Sequence, residues 1–267
     1  YFISIYKRVN TMIWAYNMRT IAVLAVVILH VSAIFVGGVS IDDDSYGNNT
    51  WWAGNIFDSI TRWCVPIFVT ISGYFLLNNQ DTPVVFFRKR VKRILTPLIF
   101  WSMFFSLWTV LKYIIKGDIN LSHIIYTILK DFLLGRPYFH LWYLFMIPFL
   151  YIFTPYLKVL LHSLERNIVL TFIWLTFTLA ASHIIFNNLV SMAGFSASPS
   201  LFTNNFLLYI GYFMLGGYIN KYSVTLKNNL LILLVLFAWT ITILGSFYFG
   251  YQYFYSYLSV NTILASI

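Results

Sequence analysis

The sequence predicts an all-α polytopic transmembrane bundle of about seven to eight spans, on three observations. The 267 residues are 60% hydrophobic and only 9% charged, whereas a soluble domain carries about 25% charged residues. Apolar runs recur at the roughly 20-residue length that crosses hydrocarbon at about 1.5 Å rise per residue. Basic residues collect in alternate connections between those runs. A mean hydropathy of +0.77 leaves too little polar material to cover a water-facing surface. The composition excludes a disordered chain, a secreted disulfide scaffold and a collagen-like repeat. One cysteine, Cys64, forms no internal disulfide and leaves the redox compartment unread.

The opening stretch YFISIYKRVNTMIWAYNMRT is mixed, and no short apolar core in it ends in a small-residue cleavage site, so it is not expected to be a cleavable signal peptide. Apolar content and length then give spans at 19–39, 52–77, 94–115, 139–157, 168–186, 204–220 and 229–249, with an eighth beginning near 258. The chain starts without Met and stops inside a fresh apolar segment, so both ends are expected to be cut. No internal repeat or appended soluble domain interrupts residues 1–267, which read as a single integral-membrane domain, truncated at its C-terminus.

Placing the N-terminus in the cytoplasm puts 12 of the 17 Lys and Arg residues inside, 3 in the opposite loops and 2, Arg62 and Lys112, within spans. Such an excess on one side is what the positive-inside rule requires. The net charge of +9 thus follows the membrane and does not point to nucleic acid. Asp42, Asp43 and Asp44 fall outside as a solvated loop.

Ionisable groups at membrane depth carry the chemical information, because each costs at least about 2.5 kcal/mol unless it faces protein or water. Arg19 and His30 stand eleven residues apart in MRTIAVLAVVILH. On a helix that spacing leaves them within roughly 20° of one face and about 16 Å apart along the axis. The stripe sets a cation at the cytoplasmic mouth and an imidazole near mid-membrane. A guanidinium suits phosphate or carboxylate, and an imidazole serves as general base toward a hydroxyl. The plainer reading makes Arg19 a positive-inside anchor and His30 a hydrogen-bonded interior residue; spacing alone leaves both open.

Asp58 and Arg62, at i and i+4 on the second span, are placed to pair, which favours a structural clamp over substrate contact. The segment FFRKRVKRILTP carries five basic residues before the third span, and either anchors at anionic lipid or clamps a polyphosphate. Arg90 and Arg93 share a face at i, i+3 and are its better candidates for the second role. His140 opens the fourth span in YFHLWYL, a setting typical of an interfacial aromatic belt. His123, His162 and His183 receive no role. No HExxH, paired Cys or carboxylate cluster suggests a metal, and neither GxSxG nor a glycine-rich phosphate loop occurs.

Five segments taken together resemble one family. NMRTIAVLAVVILH is similar to the Arg-x10-His signature on the first helix of the membrane-bound acyltransferase-3 family. SITRWCVPIFVTISGYFLL resembles its second-helix stretch, and FFRKRVKRILTP the basic stretch that follows. YFHLWYLFMIPFLYIFTPYL resembles its His-Leu-Trp helix, and FLLYIGYFMLGGYI a later glycine-bearing helix. The blocks run in family order from residue 17 to about 220.

The nearest branch is that of the bacterial O-acetyltransferases of surface polysaccharides such as O-antigen and enterobacterial common antigen. The resemblance implies an acyl-CoA donor, acetyl-CoA above all, reached from the cytoplasmic face of the inner membrane, and a lipid-linked or growing glycan as acceptor. It implies that His30 is the essential histidine, with Arg19 in the same functional pair. Arg90 and Arg93 fall where members carry functional arginines, and Arg62 and His140 in recurrent blocks. The family has about ten helices, among them a late Ser-x-x-Ile-Tyr-x-x-His-like segment that this sequence does not reach. Imidazole chemistry allows His30 to act as general base or to carry the acyl group itself. The rival reading is a glycan or lipid translocator without acyl transfer, with Arg19, Arg62 and His30 merely lining a path.

Overall fold

The computed structural model describes residues 2–117, 120–133, 138, 141–193, 205–224 and 228–267. The regular structure among them is helical: twelve segments, ten of them longer than a single turn. Six helices are long and apolar enough to cross a bilayer. They are Ile13–Val36 within α1 (Phe2–Val36), Asn49–Leu76 built from α2 (Asn49–Thr61) and α3 (Cys64–Leu76), α4 (Pro83–Ile115), α6 (Trp142–Ser163), α7 (Arg166–Met192) and α10 (Asn228–Phe249). Between and after them lie α5 (Leu121–Leu133), α8 (Asn205–Leu208), α9 (Ile210–Tyr222), α11 (Tyr251–Phe254) and α12 (Val260–Ser266). The chain is a multi-pass helical membrane protein.

Local chemistry sets the ends. The first span stops at Gly37–Gly38, where Gly38 takes a φ of 85° that closes a helix without a Cβ penalty. Asn48 caps α2, its side chain accepting from the Trp51 amide at 2.7 Å. The second span breaks at Arg62–Trp63 because Pro66, four residues on, has no N–H for the Arg62 carbonyl and its ring would press on that carbonyl. The FFRKRVKRILTP segment is already helical, since α4 begins at Pro83 rather than near residue 94; proline suits a first helical position.

Two compact units divide the chain. The first comprises 1–78 and 160–267, the second 79–159. In the first, α1 packs on α2 and α3, and α3 on α9. The α3–α9 crossing is backbone against backbone: a Cβ on Gly73 would fall inside the Phe213 carbonyl, and one on Gly216 inside that of Thr70. Small residues of this kind let helices approach closely where no water drives them together. In the second unit, α4 contacts α5, and Phe86 meets Tyr151 of α6 edge to face. Lys158 donates to the Asn79 carbonyl.

Two of the eight expected spans take another form. The run 204–220 becomes α8 and the 13-residue α9, whose residues Ile210 to Tyr218 are all buried. Apolar on every side, it is enclosed by protein rather than lipid, which hydropathy alone does not distinguish. The segment near 258 is the seven-residue α12, with Asn261, Thr262 and Ser266 buried.

Candidate active site

On α1 the buried stripe is Ala15, Ala22, Ala25, Leu29, Ser32 and Val36. Arg19 and His30 are half-buried and lie together on one flank of it. They stand eleven residues, about 16 Å, apart along the 35-residue α1. The helix stops at Val36, sooner than hydropathy suggests. The Arg19 guanidinium lies 5.5 Å from the centre of the Phe75 ring on α3, close to the end of that helix.

Asp58 and Arg62 form the expected i, i+4 ion pair, with the Asp58 side chain fully buried and that of Arg62 13% exposed. Arg62 does more than neutralise Asp58. It donates through Nη1 to the Tyr255 carbonyl, and its guanidinium stands 4.2 Å from the centre of the Tyr255 ring and 5.6 Å from that of Tyr257. The other Asp58 oxygen, Oδ2, is buried without a hydrogen-bond partner. One turn before Asp58, the buried Asn55 donates to the Ile243 carbonyl at 3.0 Å and accepts from Ser246 and Tyr255, each at 2.6 Å. This network ties the break in the second span to the irregular 250–259 segment between α10 and α12.

Gly54 lies against Phe35, Val36 and the Ser32 carbonyl, which fixes the register of the antiparallel α1–α2 pair. Counting four residues along each helix from that contact brings Asp58 and His30 to about the same depth. Sequence reasoning named Asp58 and Arg62 but missed Asn55, Tyr255 and Tyr257. A polar series at Asn55, Asp58, Ser59 and Arg62, spaced three and four apart in an apolar span, was the available signal for the first of these.

In the second unit Arg90 is half-buried, its guanidinium 5.8 Å from the centre of the Phe86 ring, and Arg93 is exposed. Lys89 is engaged by Asp81 at 2.9 and 3.0 Å, and these bonds hold the Asp81 carboxyl below the usual carboxylate range. His140 lies outside the described residues. His162 meets the Leu77 carbonyl at 3.1 Å, an end-of-helix contact. No group of three or more metal-ligating side chains occurs among the described residues.

No curated protein and no solved structure matches the chain. A family model does, the acyltransferase domain of the acyltransferase-3 family, and it spans residues 12–267. The match embraces every block from the Arg19–His30 helix to the glycine-bearing α9. It also decides between transfer chemistry and mere translocation. For a multi-pass helical membrane protein matched by that model over nearly its whole length there is one conclusion: the chain belongs to the acyltransferase-3 family and is an acyl-transferring membrane enzyme.

Proposed function

We infer that the protein moves an acyl group, acetyl above all, from cytoplasmic acyl-CoA to a hydroxyl of a lipid-linked or cell-surface glycan at the bacterial inner membrane. The observation that carries this reading is the shared flank of α1, on which Arg19 and His30 both stand half-buried, eleven residues apart. A donor that enters from one side and an acceptor that waits at the other need a fixed charge, a proton-handling group and little distance between them. About 16 Å along one helix supplies that arrangement.

Arg19 holds an anionic part of the donor. His30 takes the proton of the acceptor hydroxyl as its oxygen attacks the thioester carbonyl; the C–S bond then breaks, and the leaving thiolate takes the proton back from the imidazolium. Acylation of His30 itself is the two-step variant, with the same proton balance. Arg90 and Arg93 contribute charge for the donor's phosphates. Arg62, Asp58 and His140 are not assigned a step. Mass spectrometry of the glycan from cells with and without the protein tests the reading. An added acetyl mass per repeat unit supports it, and an unchanged glycan rejects it.

A further inference from the structure

Two cations converge on one ring at the end of the first unit that also carries Arg19. The Arg166 guanidinium lies 5.3 Å from the centre of the Tyr222 ring, and the Lys221 ammonium 4.8 Å from the same centre, so the two charges stand within about 10 Å of each other. Neither makes an ion pair within 4.0 Å among the described residues; the neighbouring carboxylate, Glu165, is exposed and engages neither. At that separation, about one Debye length, salt does not fully screen their repulsion.

Both cations are nonetheless held in place. Arg166 donates from Nε to the Tyr218 hydroxyl at 3.0 Å, and Lys221 donates to the Leu161 carbonyl at 2.7 Å. Each contact uses one donor and leaves the others for a ligand. Arg166 is also the first residue of the 27-residue α7, whose N-cap makes no side-chain hydrogen bond, so the positive end of the helix adds to the same spot. Asn220, next to Lys221, donates to the Tyr74 carbonyl at 2.7 Å, and Tyr74 precedes Phe75, over which Arg19 lies. The cluster therefore neighbours the Arg19 end of the proposed donor path.

We propose that Arg166 and Lys221, fixed over Tyr222, form a phosphate-binding subsite. Its ligand is a phosphate group, supplied either by the acyl donor's nucleotide end or by an anionic lipid headgroup. The first source rests on the acyl-CoA reading; the second does not. Two uncompensated, oriented cations attract a dianionic phosphate, and the guanidinium fork can take two of its oxygens at once.

The test uses the full chain purified in detergent, with coenzyme A titrated by calorimetry and retention of phosphatidylglycerol followed by native mass spectrometry. Arg166→Gln, at an exposed position, is the first variant; Lys221→Gln is the second. Each is expected to weaken one probe about tenfold, the loss that follows removal of one charge-assisted hydrogen bond. Weaker coenzyme A binding with unchanged lipid retention assigns the subsite to the donor. Lost lipid retention with unchanged coenzyme A binding assigns it to a headgroup. If the wild-type chain binds no coenzyme A, the donor reading fails while the lipid arm still tests the subsite. Unchanged binding of both probes in a monodisperse Arg166→Gln variant overturns the proposal.

Discussion

Arg19 and His30 stand half-buried on a flank of α1, whereas Asp58, on the adjacent span, is fully buried and paired with a half-buried Arg62 that is itself tied to the 250–259 segment. Asp58 and His30 lie at about the same depth, yet their surroundings differ in kind. Around Arg62 a carboxylate, a carbonyl and two aromatic faces take up the charge. Drawing Arg62 away to a substrate would strand the Asp58 charge in the interior. α1 itself carries no acidic residue. The contrast separates a site expected to fail in turnover from a site expected to fail in assembly.

The sharpest way to break that contrast is His30→Ala. Acyl transfer should fall by about 10²–10⁴-fold, the usual contribution of a general acid–base group, while protein in the membrane fraction stays at the wild-type amount. Glycan acylation and an immunoblot of the same membranes read both. Next in size come Asp58→Asn and Arg62→Gln. Either alone removes one partner of a buried pair, an effect of roughly 3–5 kcal/mol, and should lower folded protein sharply. The double substitution should restore part of it, because both charges leave together. Normal abundance of Arg62→Gln together with lost acylation would move Arg62 into the active site.

Arg19→Lys sharpens the comparison from the other side. Charge is kept but the planar fork is lost, so activity should drop about tenfold with no change in abundance. A fully active Arg19→Lys enzyme would return Arg19 to the role of a membrane anchor. The smallest expected effect is that of Tyr255→Phe. It removes the hydroxyl that donates to Asn55 but keeps the ring beneath Arg62, and should cost about 0.5–1.5 kcal/mol, visible as a modest fall in thermal midpoint in detergent.

Much of this was legible in the sequence because the bilayer imposes a length and an apolarity that few segments meet. Six of the expected runs are helices that satisfy both. The i, i+4 spacing of Asp58 and Arg62 gave their pairing, since a helix makes such neighbours automatically. The eleven-residue spacing likewise set Arg19 and His30 on one flank. What remained hidden depends on contacts between distant segments. Hydropathy reads α9 as a span because apolar residues look alike whether they face lipid or protein, and only its packing against α3 and α7 reveals which. Tyr255 and Tyr257 carried no local signal, since Arg62 reaches Tyr255 across a chain separation of 193 residues and Tyr257 lies further along still.

That separation has a consequence for biogenesis. A nascent chain grows at about 5–20 residues per second, so Tyr255 emerges about 10–40 s after Arg62. Throughout that interval the second span must reside in the membrane with Asp58, its neighbour on the same helix, as the only one of these partners yet made. The carboxylate thus acts first as an escort for the arginine through insertion. Only once the last helices arrive does it become one strand of a shared knot.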